Sequence, residues 1–194
     1  ICHLSLTQET KLRLATDIEG HPDNVAPALF GGLMISVQFE NKEVDYIQIP
    51  NLDLDLVVYI PDVELKTKAA RSVLPETFKR SEATAASGIS NLMIAALLQK
   101  DYALAGKMME QDLFHEPYRA DLIPNYDYIK QKAKKLGAYG TVISGAGPTM
   151  ISFVPKGKGD DVAEEMKVML SSYEVESLQI DYTGLQVTNH VVNN

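Results

Sequence analysis

Residues 19–24, which read EGHPDN, combine several groups that can do chemistry. A carboxylate such as Glu19 suits Mg²⁺, because this hard cation prefers oxygen ligands. The imidazole of His21 could bind a carboxylate or a hydroxyl, and Asp23 with Asn24 could orient a substrate hydroxyl. The alternative is a structural loop, in which Asp23 caps the next helix and the other polar groups bond locally or face water.

Two arginines farther along stand in sequences that suit an anionic ligand. Thr67 and Arg71 are four residues apart in TKAARSVLP, so on a helix they share one face. Arg119 lies between two prolines in EPYRADLIP, and we expect it to be partly enclosed and to need an anionic partner. A guanidinium can hold a carboxylate or a phosphate through two hydrogen bonds. The alternative for Arg71 is a surface role. For Arg119 it is an ion pair with Glu116 or Asp121.

A third stretch, SGAGPT at residues 144–149, is rich in small residues. Its glycines leave backbone N–H groups free to approach a phosphate or a neighbouring loop. It is not the P-loop signature, because no Gly-Lys-Ser/Thr follows. A plain hairpin turn between two strands is the alternative.

The surrounding patterns predict the elements that position the polar turn at residues 19–24. Leu12, Ala15 and Ile18 recur at spacings of three and predict a helix with these residues on one face. Asp23 stands where the N-cap of the following short helix is expected. Two strands joined by a turn at residues 41–42 then predict a hairpin.

Beyond a predicted domain boundary at residue 50, the sequence favours an α+β layer. Leu54, Leu56 and Val58 alternate with Asp53, Asp55 and Val57 and predict a strand over residues 52–61. Several helices follow, and the tail reads strand, turn, strand, helix, strand, which is typical of an elaborated ferredoxin-like fold. The lysines at positions 130, 132, 134 and 135 are interpreted as the solvated face of one of these helices.

The composition argues against several classes of partner. The net charge is −8, whereas nucleic acids are held mainly by Lys and Arg, so we expect no nucleic-acid partner. No apolar run approaches the roughly 20 residues that span a bilayer, so we expect no membrane partner. The single cysteine, Cys2, cannot form an intrachain disulfide, which favours a reducing, cytoplasmic location.

Four motifs taken together resemble one known family. EGHPDNVAPALFGG, TKAARSVLP, EPYRADLIP and GTVISGAGPTMISF occur in this order, which is similar to the GHMP small-molecule kinases and, within them, to the homoserine kinases. The similarity covers nearly the whole chain. It implies the end of a ribosomal-S5-like N-terminal domain in residues 1–50, a ferredoxin-like GHMP kinase C-terminal domain in residues 51–194, and a homodimer.

The resemblance also implies a reaction and its site residues. The family uses ATP and Mg²⁺, and its homoserine branch moves the γ-phosphoryl group to the side-chain hydroxyl of L-homoserine in threonine biosynthesis. By similarity His21, Arg71 and Arg119 would hold the amino acid, and Arg71 would also stabilise the transferring phosphoryl group. Asn24 would orient the hydroxyl, with Asp23 mainly structural. The remaining implied contacts are Thr67 near the transferred phosphate, Ser144, Gly145, Gly147 and Thr149 against the nucleotide phosphate loop, and Glu19 as the Mg²⁺ ligand.

The sequence departs from the family pattern at two points. The family's ATP-binding loop, PxxxGLGSSA, is expected before Ile1, so we expect this chain alone to be inactive. The magnesium glutamate of some members lies several residues farther from the histidine than Glu19 does. Two alternatives stay open, namely a GHMP kinase that acts on another alcohol and a non-catalytic module with this fold.

Overall fold

The computed structural model describes residues 6–49 and 51–188, which divide into two compact units. The first unit comprises residues 1–51 and 180–194, and the second comprises residues 52–179. Cys2 and the predicted boundary at residue 50 lie outside the described residues. Within the described part of the chain, no helix has both the length and the apolar character needed to cross a bilayer. The assignment of residues 1–50 and 51–194 to the two named domains stays a prediction.

The first unit begins with helix α1 at Gln8–Glu19. The hydroxyl of Thr7 accepts a hydrogen bond from the Thr10 N–H at 3.2 Å, and such a cap satisfies one of the free donors of a helix start. Leu12 and Thr16 are buried, but Ile18 is 89% exposed. The predicted helix is confirmed, but Ile18 lies off its buried side, because residues i and i+4 rather than i and i+6 align there.

A short helix and a hairpin complete the first unit. Gly31 ends α2 and lies so close to residues 181–184 that a Cβ atom there would be 2.6 Å from the carbonyl carbon of Tyr182. Only glycine fits this contact, which holds the tail against the α2 corner. The predicted hairpin is confirmed. The elements are α2 (Val25–Phe30), β1 (Leu33–Gln38) and β2 (Val44–Ile49).

The second unit is a four-stranded antiparallel sheet with its helices inserted between strands. The strand order is β4-β5-β3-β6, so the predicted α+β class is confirmed. The strands are β3 (Leu54–Pro61), β4 (Gly140–Ile143), β5 (Met150–Pro155) and β6 (Tyr173–Leu178). The helices are α3 (Thr67–Ser72), α4 (Arg80–Leu98), α5 (Tyr102–Met109), α6 (Glu116–Arg119), α7 (Tyr126–Lys135) and α8 (Gly159–Met169), with a 3-10 turn at Ala120–Leu122.

The core of the second unit lies between this sheet and helices α7 and α8. Val57 and Tyr59 are fully buried, so the face of β3 that carries residues 55, 57 and 59 points inward. The predicted strand is confirmed, and Asp55 is buried on its inner face although it is acidic. Its Oδ2 accepts hydrogen bonds from the N–H groups of Gly157 at 2.7 Å and Gly159 at 3.2 Å, which compensate its burial at the start of α8.

Candidate functional site

The polar turn lies between α1 and α2 and is built around Asp23. The Asp23 carboxylate accepts a hydrogen bond from the Asn24 N–H at 3.0 Å and is also hydrogen-bonded to Nδ1 of His21. The N-cap position of α2 is Asn24, without a side-chain cap. The prediction that Asp23 caps α2 is therefore wrong, because its carboxylate is engaged by His21 and by the Asn24 N–H and not by the N–H groups of the first helical turn.

This arrangement orients the imidazole and leaves the other predicted groups at the surface. A carboxylate against Nδ1 favours the tautomer with its proton on Nδ1 and restricts the rotation of the ring. His21 is partly exposed, whereas Asn24 and Glu19 are exposed. No cluster of three or more His, Cys, Asp or Glu side chains suited to a metal ion occurs among the described residues. The roles of these residues toward a substrate and Mg²⁺ stay predictions.

In the second unit, Arg119 connects two of the predicted motifs. It is the last residue of α6 and only 8% exposed. Its Nε donates a hydrogen bond to the carbonyl oxygen of Ala70 in α3 at 3.1 Å, and its Nη1 donates to the carbonyl oxygen of Gly145 at 3.1 Å. Arg119 thus lies between the helix that carries Arg71 and the SGAGPT loop.

In the described part of the chain, the guanidinium of Arg119 is held by neutral groups. Among the residues that the structure describes, no carboxylate forms an ion pair with it, and both of its hydrogen-bond acceptors are uncharged carbonyl groups. The alternative of an ion pair with Glu116 or Asp121 is therefore wrong. A buried charge without a counter-charge is costly, so this position suits an anionic ligand.

Helix α3 carries the other predicted arginine, Arg71, directly after Ala70, whose carbonyl oxygen Arg119 contacts. Thr67 is its first residue and Arg71 follows one turn later, which confirms the predicted shared helix. Both side chains are exposed, and Ala70 between them is fully buried and anchors the helix. The contact between Ala70 and Arg119 therefore fixes the helix at the residue next to Arg71.

The SGAGPT loop joins β4 to β5, which confirms a hairpin connection. Ser144 donates its N–H to the carbonyl oxygen of Thr149 at 2.9 Å, and Gly147 donates to the carbonyl oxygen of Ser144 at 3.0 Å. Gly145 and Gly147 have φ of +59° and +81°, a region that favours glycine. Within the described residues, the N–H groups of Gly145 and Ala146 donate no hydrogen bond. The loop therefore has donors for an oxygen ligand, and phosphate-loop contact stays a prediction.

A buried network around Glu116 was not predicted. Glu116 is 7% exposed and accepts hydrogen bonds from the Ile143 N–H at 2.7 Å, from Lys130 Nζ at 2.9 Å and from the Tyr126 hydroxyl. Burial, together with the hydrogen bond to Glu116 and its charge, raises the pKa of Tyr126 well above its usual range. The Lys130 side chain is only 17% exposed, so its assignment to the solvated face is wrong. The available signal was the (i, i+4) pair of Tyr126 and Lys130 on one helix face.

Asp112 holds the start of α6. Its carboxylate accepts hydrogen bonds from the N–H groups of Phe114, His115 and Glu116 at 3.0, 2.7 and 2.7 Å. Burial raises the pKa of Asp112, but the bonds from the His115 side chain and from these N–H groups outweigh it and hold the pKa well below its usual range. Asp112 therefore fixes the short helix that ends in Arg119.

Comparison with known proteins shows which proteins this chain is similar to. Residues 93–170 match the family described as GHMP kinases C terminal. The chain is 54% identical over 187 residues to a homoserine kinase of Oceanobacillus iheyensis and covers 63% of that relative, using 95% of its own length. A homoserine kinase structure from Cytophaga hutchinsonii aligns with a TM-score of 0.84 at 30% identity, over 93% of this chain and 60% of that one.

The fold extends to more distant kinases. A mevalonate kinase from L. major, solved in complex with R-mevalonate, aligns with a TM-score of 0.65 at 18% identity over 92% of this chain and 60% of that one. The chain thus spans about three fifths of the proteins it matches. Residues 93–170 match the GHMP kinase C-terminal family, and the chain as a whole is similar to homoserine kinases.

Proposed function

We propose that the complete protein carrying this chain is a homoserine kinase, which transfers the γ-phosphoryl group of ATP to the side-chain hydroxyl of L-homoserine. The similarity to relatives named homoserine kinase supports this proposal over nearly the whole chain. The family resemblance alone supports a cytoplasmic location, a homodimer and a role in threonine biosynthesis. GHMP kinases use ATP, and we propose Mg²⁺ as the accompanying ion.

The observation that carries the proposal is the buried guanidinium of Arg119. An amino-acid substrate brings a carboxylate, and a guanidinium that lacks an acidic partner can supply charge-assisted hydrogen bonds to it. A sugar or another neutral alcohol would leave this charge uncompensated. Arg71 extends from the neighbouring α3, whose Ala70 carbonyl contacts Arg119, and it is proposed as the second guanidinium for the substrate.

The chemistry requires positioning and charge compensation more than a strong base. In phosphoryl transfer, negative charge spreads over the phosphoryl oxygens in the transition state, and fixed donors aimed at this charge lower the barrier. Thr67 at the start of α3, Arg71 one turn later and the N–H donors of the SGAGPT loop are the groups proposed for this role. When bound, Mg²⁺ would neutralise charge at the phosphates, and such an ion is commonly held in part by one or two carboxylates. The exposed carboxylate of Glu19 fits such an arrangement.

For the polar turn, we propose that Asn24 orients the reacting hydroxyl and that Asp23 is mainly structural. Asp23 already accepts hydrogen bonds from His21 and from the Asn24 N–H, and these bonds engage its carboxylate within the turn. His21, oriented by Asp23, is proposed to contact the amino acid. If Asp23→Asn abolished turnover with homoserine binding intact, and Asn24→Ala did not, this division of roles would be wrong.

The function is tested by ADP release from the complete gene product that carries this chain. Mg-ATP is supplied with homoserine, mevalonate, galactose or threonine, each in a separate reaction. We expect release with homoserine alone. Release with a different alcohol would overturn the substrate but keep the kinase, and a folded protein that releases ADP with none of the four would favour a non-catalytic module.

A further inference from the structure

Two glutamates, the buried Glu116 and the partly buried Glu110, cover the outer edge of strand β4. This strand is at the end of the sheet, where backbone N–H groups normally lack a partner. Glu110 Oε1 accepts from the Thr141 N–H at 3.0 Å, and Glu116 Oε1 accepts from the Ile143 N–H at 2.7 Å. The two carboxylates thus make the same type of contact two residues apart along one strand.

The two glutamates differ in what else they connect. Glu110 follows α5, and its second oxygen lies 3.9 Å from Lys134 Nζ. Glu116 is the first residue of α6, which ends at Arg119, and Ile143 directly precedes the SGAGPT loop. Glu116 therefore joins the helix that presents Arg119 to the strand end from which the loop departs.

The second oxygen of Glu116 is also fully used. Lys130 Nζ lies 2.9 Å from Oε2, and the Tyr126 hydroxyl donates to the same atom. Glu116 and Arg119 are both buried on the same four-residue helix. The charge of Glu116 is nevertheless balanced by Lys130 and not by Arg119. These contacts restrain α6, and they leave Arg119 without a carboxylate partner among the described residues.

Resting on the proposed function, we propose that Glu116 is a positioning residue that holds Arg119 and the SGAGPT loop in the geometry needed for substrate binding and phosphoryl transfer. It acts through these groups and does not itself touch the substrate. Glu110, which makes the same contact to β4 but is not part of α6, contributes to stability alone. Comparing the two glutamates therefore separates the positioning of Arg119 and the SGAGPT loop from the protection of the β4 edge.

The test compares Glu116→Gln with Glu110→Gln in the complete gene product. Glutamine keeps the size and one acceptor but removes the charge that Lys130 balances. We expect Glu116→Gln to raise KM for homoserine about tenfold or more and to lower kcat, because a small misplacement of binding groups costs this much. Glu110→Gln should change both parameters less than about twofold, with a similar loss of thermal stability. Equal kinetic effects in the two variants would overturn the proposal.

Two further measurements keep the test decisive. If Glu116→Gln does not fold, Tyr126→Phe removes one hydrogen bond to Glu116, and we expect a smaller rise in homoserine KM. No rise in a folded Tyr126→Phe protein would then count against positioning. Hydrogen exchange of residues 143–149 without substrate is independent of activity. Faster exchange in Glu116→Gln than in Glu110→Gln supports the coupling even if the wild type releases no ADP with homoserine, an outcome that overturns only the proposed function. Equal exchange overturns the coupling.

Discussion

The Nη1 of Arg119 donates a hydrogen bond to the carbonyl oxygen of Gly145 at 3.1 Å, although the two residues belong to motifs separated by β4 and α7. Gly145 has φ of +59°, and this backbone conformation turns its carbonyl group toward the arginine. The contact links a residue proposed to bind the substrate carboxylate to a loop proposed to lie near phosphate. A substitution at either residue should therefore change the position of the other.

Arg119→Lys tests whether the planar guanidinium is required rather than its charge alone. Lysine keeps the positive charge but cannot reproduce two donors in a fixed fork, so we expect a rise in homoserine KM of about 10- to 100-fold. The lost bonds to Ala70 and Gly145 should also lower the free energy of unfolding by about 1–2 kcal/mol. Steady-state kinetics and urea unfolding measure the two effects.

The matched control for this arginine is Arg80→Lys. Arg80 is the exposed first residue of α4, so both kinetics and stability should remain close to wild type. An unchanged homoserine KM in Arg119→Lys would show that charge alone suffices at position 119.

Asp112→Asn tests the cap of α6 and its dependence on pH. The lowered pKa of Asp112 means that its stabilisation is present above the unfolded-state pKa of about 4 and is lost as the pH falls toward the folded-state pKa. We expect the variant to lose about 1–3 kcal/mol of unfolding free energy at pH 7, because three N–H donors lose their charged acceptor. The difference from wild type should shrink below pH 4, as measured by urea unfolding at several pH values.

The control for this cap is Asp62→Asn, an exposed carboxylate. Its stability difference from wild type should stay small across the same pH range. A difference for Asp112→Asn that is constant from pH 3 to pH 7 would assign its effect to shape rather than to charge.

Local sequence patterns predicted those parts of the fold that depend on neighbouring residues. The hairpin at residues 41–42, the helix that carries Thr67 and Arg71, and the turn at residues 144–149 follow from turn residues and periodicity within a few positions. The order of motifs also indicated the family to which the chain is similar, because each motif is a short stretch of sequence and can be recognised without any tertiary contact.

Contacts between distant residues were not predictable in the same way. The alternation around Asp55 does not show that this carboxylate is buried, because Gly157 and Gly159 supply its N–H donors from about a hundred positions later. Lys130 likewise resembled a solvated lysine, because its partner Glu116 belongs to another helix. A pattern shows the type of a side chain but not the element that will pack against it.

Alanine substitutions at two helical glycines of the second unit should change the free energy of unfolding in opposite directions. A Cβ atom at Gly106 in α5 would lie 2.1 Å from the carbonyl oxygen of Tyr139, whereas one at Gly88 in α4 would meet nothing within 4 Å. We expect Gly106→Ala to lower the free energy of unfolding by about 3 kcal/mol, because the helix must move away from the strand. Gly88→Ala should raise it by about 0.5–1 kcal/mol, because alanine reduces the entropy of the unfolded chain. Urea unfolding compares the two, and destabilisation by Gly88→Ala would contradict this account.

Ser152 is the centre of a buried chain of hydroxyl groups that crosses three strands. Its Oγ lies 2.8 Å from the Tyr59 hydroxyl and 2.7 Å from Thr141 Oγ1. Burial raises the pKa of Tyr59 to about 12, despite the opposing hydrogen bond with Ser152, so this hydroxyl keeps its proton at neutral pH. Ser152→Ala removes one partner from each neighbour and should lower the free energy of unfolding by about 1–3 kcal/mol.

The same substitution at the exposed Ser87 in α4 should be neutral or slightly stabilising, because alanine is the better helix former. Tyr59→Phe in the Ser152→Ala background should then recover part of the loss, since it removes a donor that the first change left without a partner. Urea unfolding of Ser152→Ala, of Tyr59→Phe and of the double variant measures the coupling between these two residues. Strictly additive effects would mean that Tyr59 finds another partner and that the three hydroxyl groups do not act as one chain.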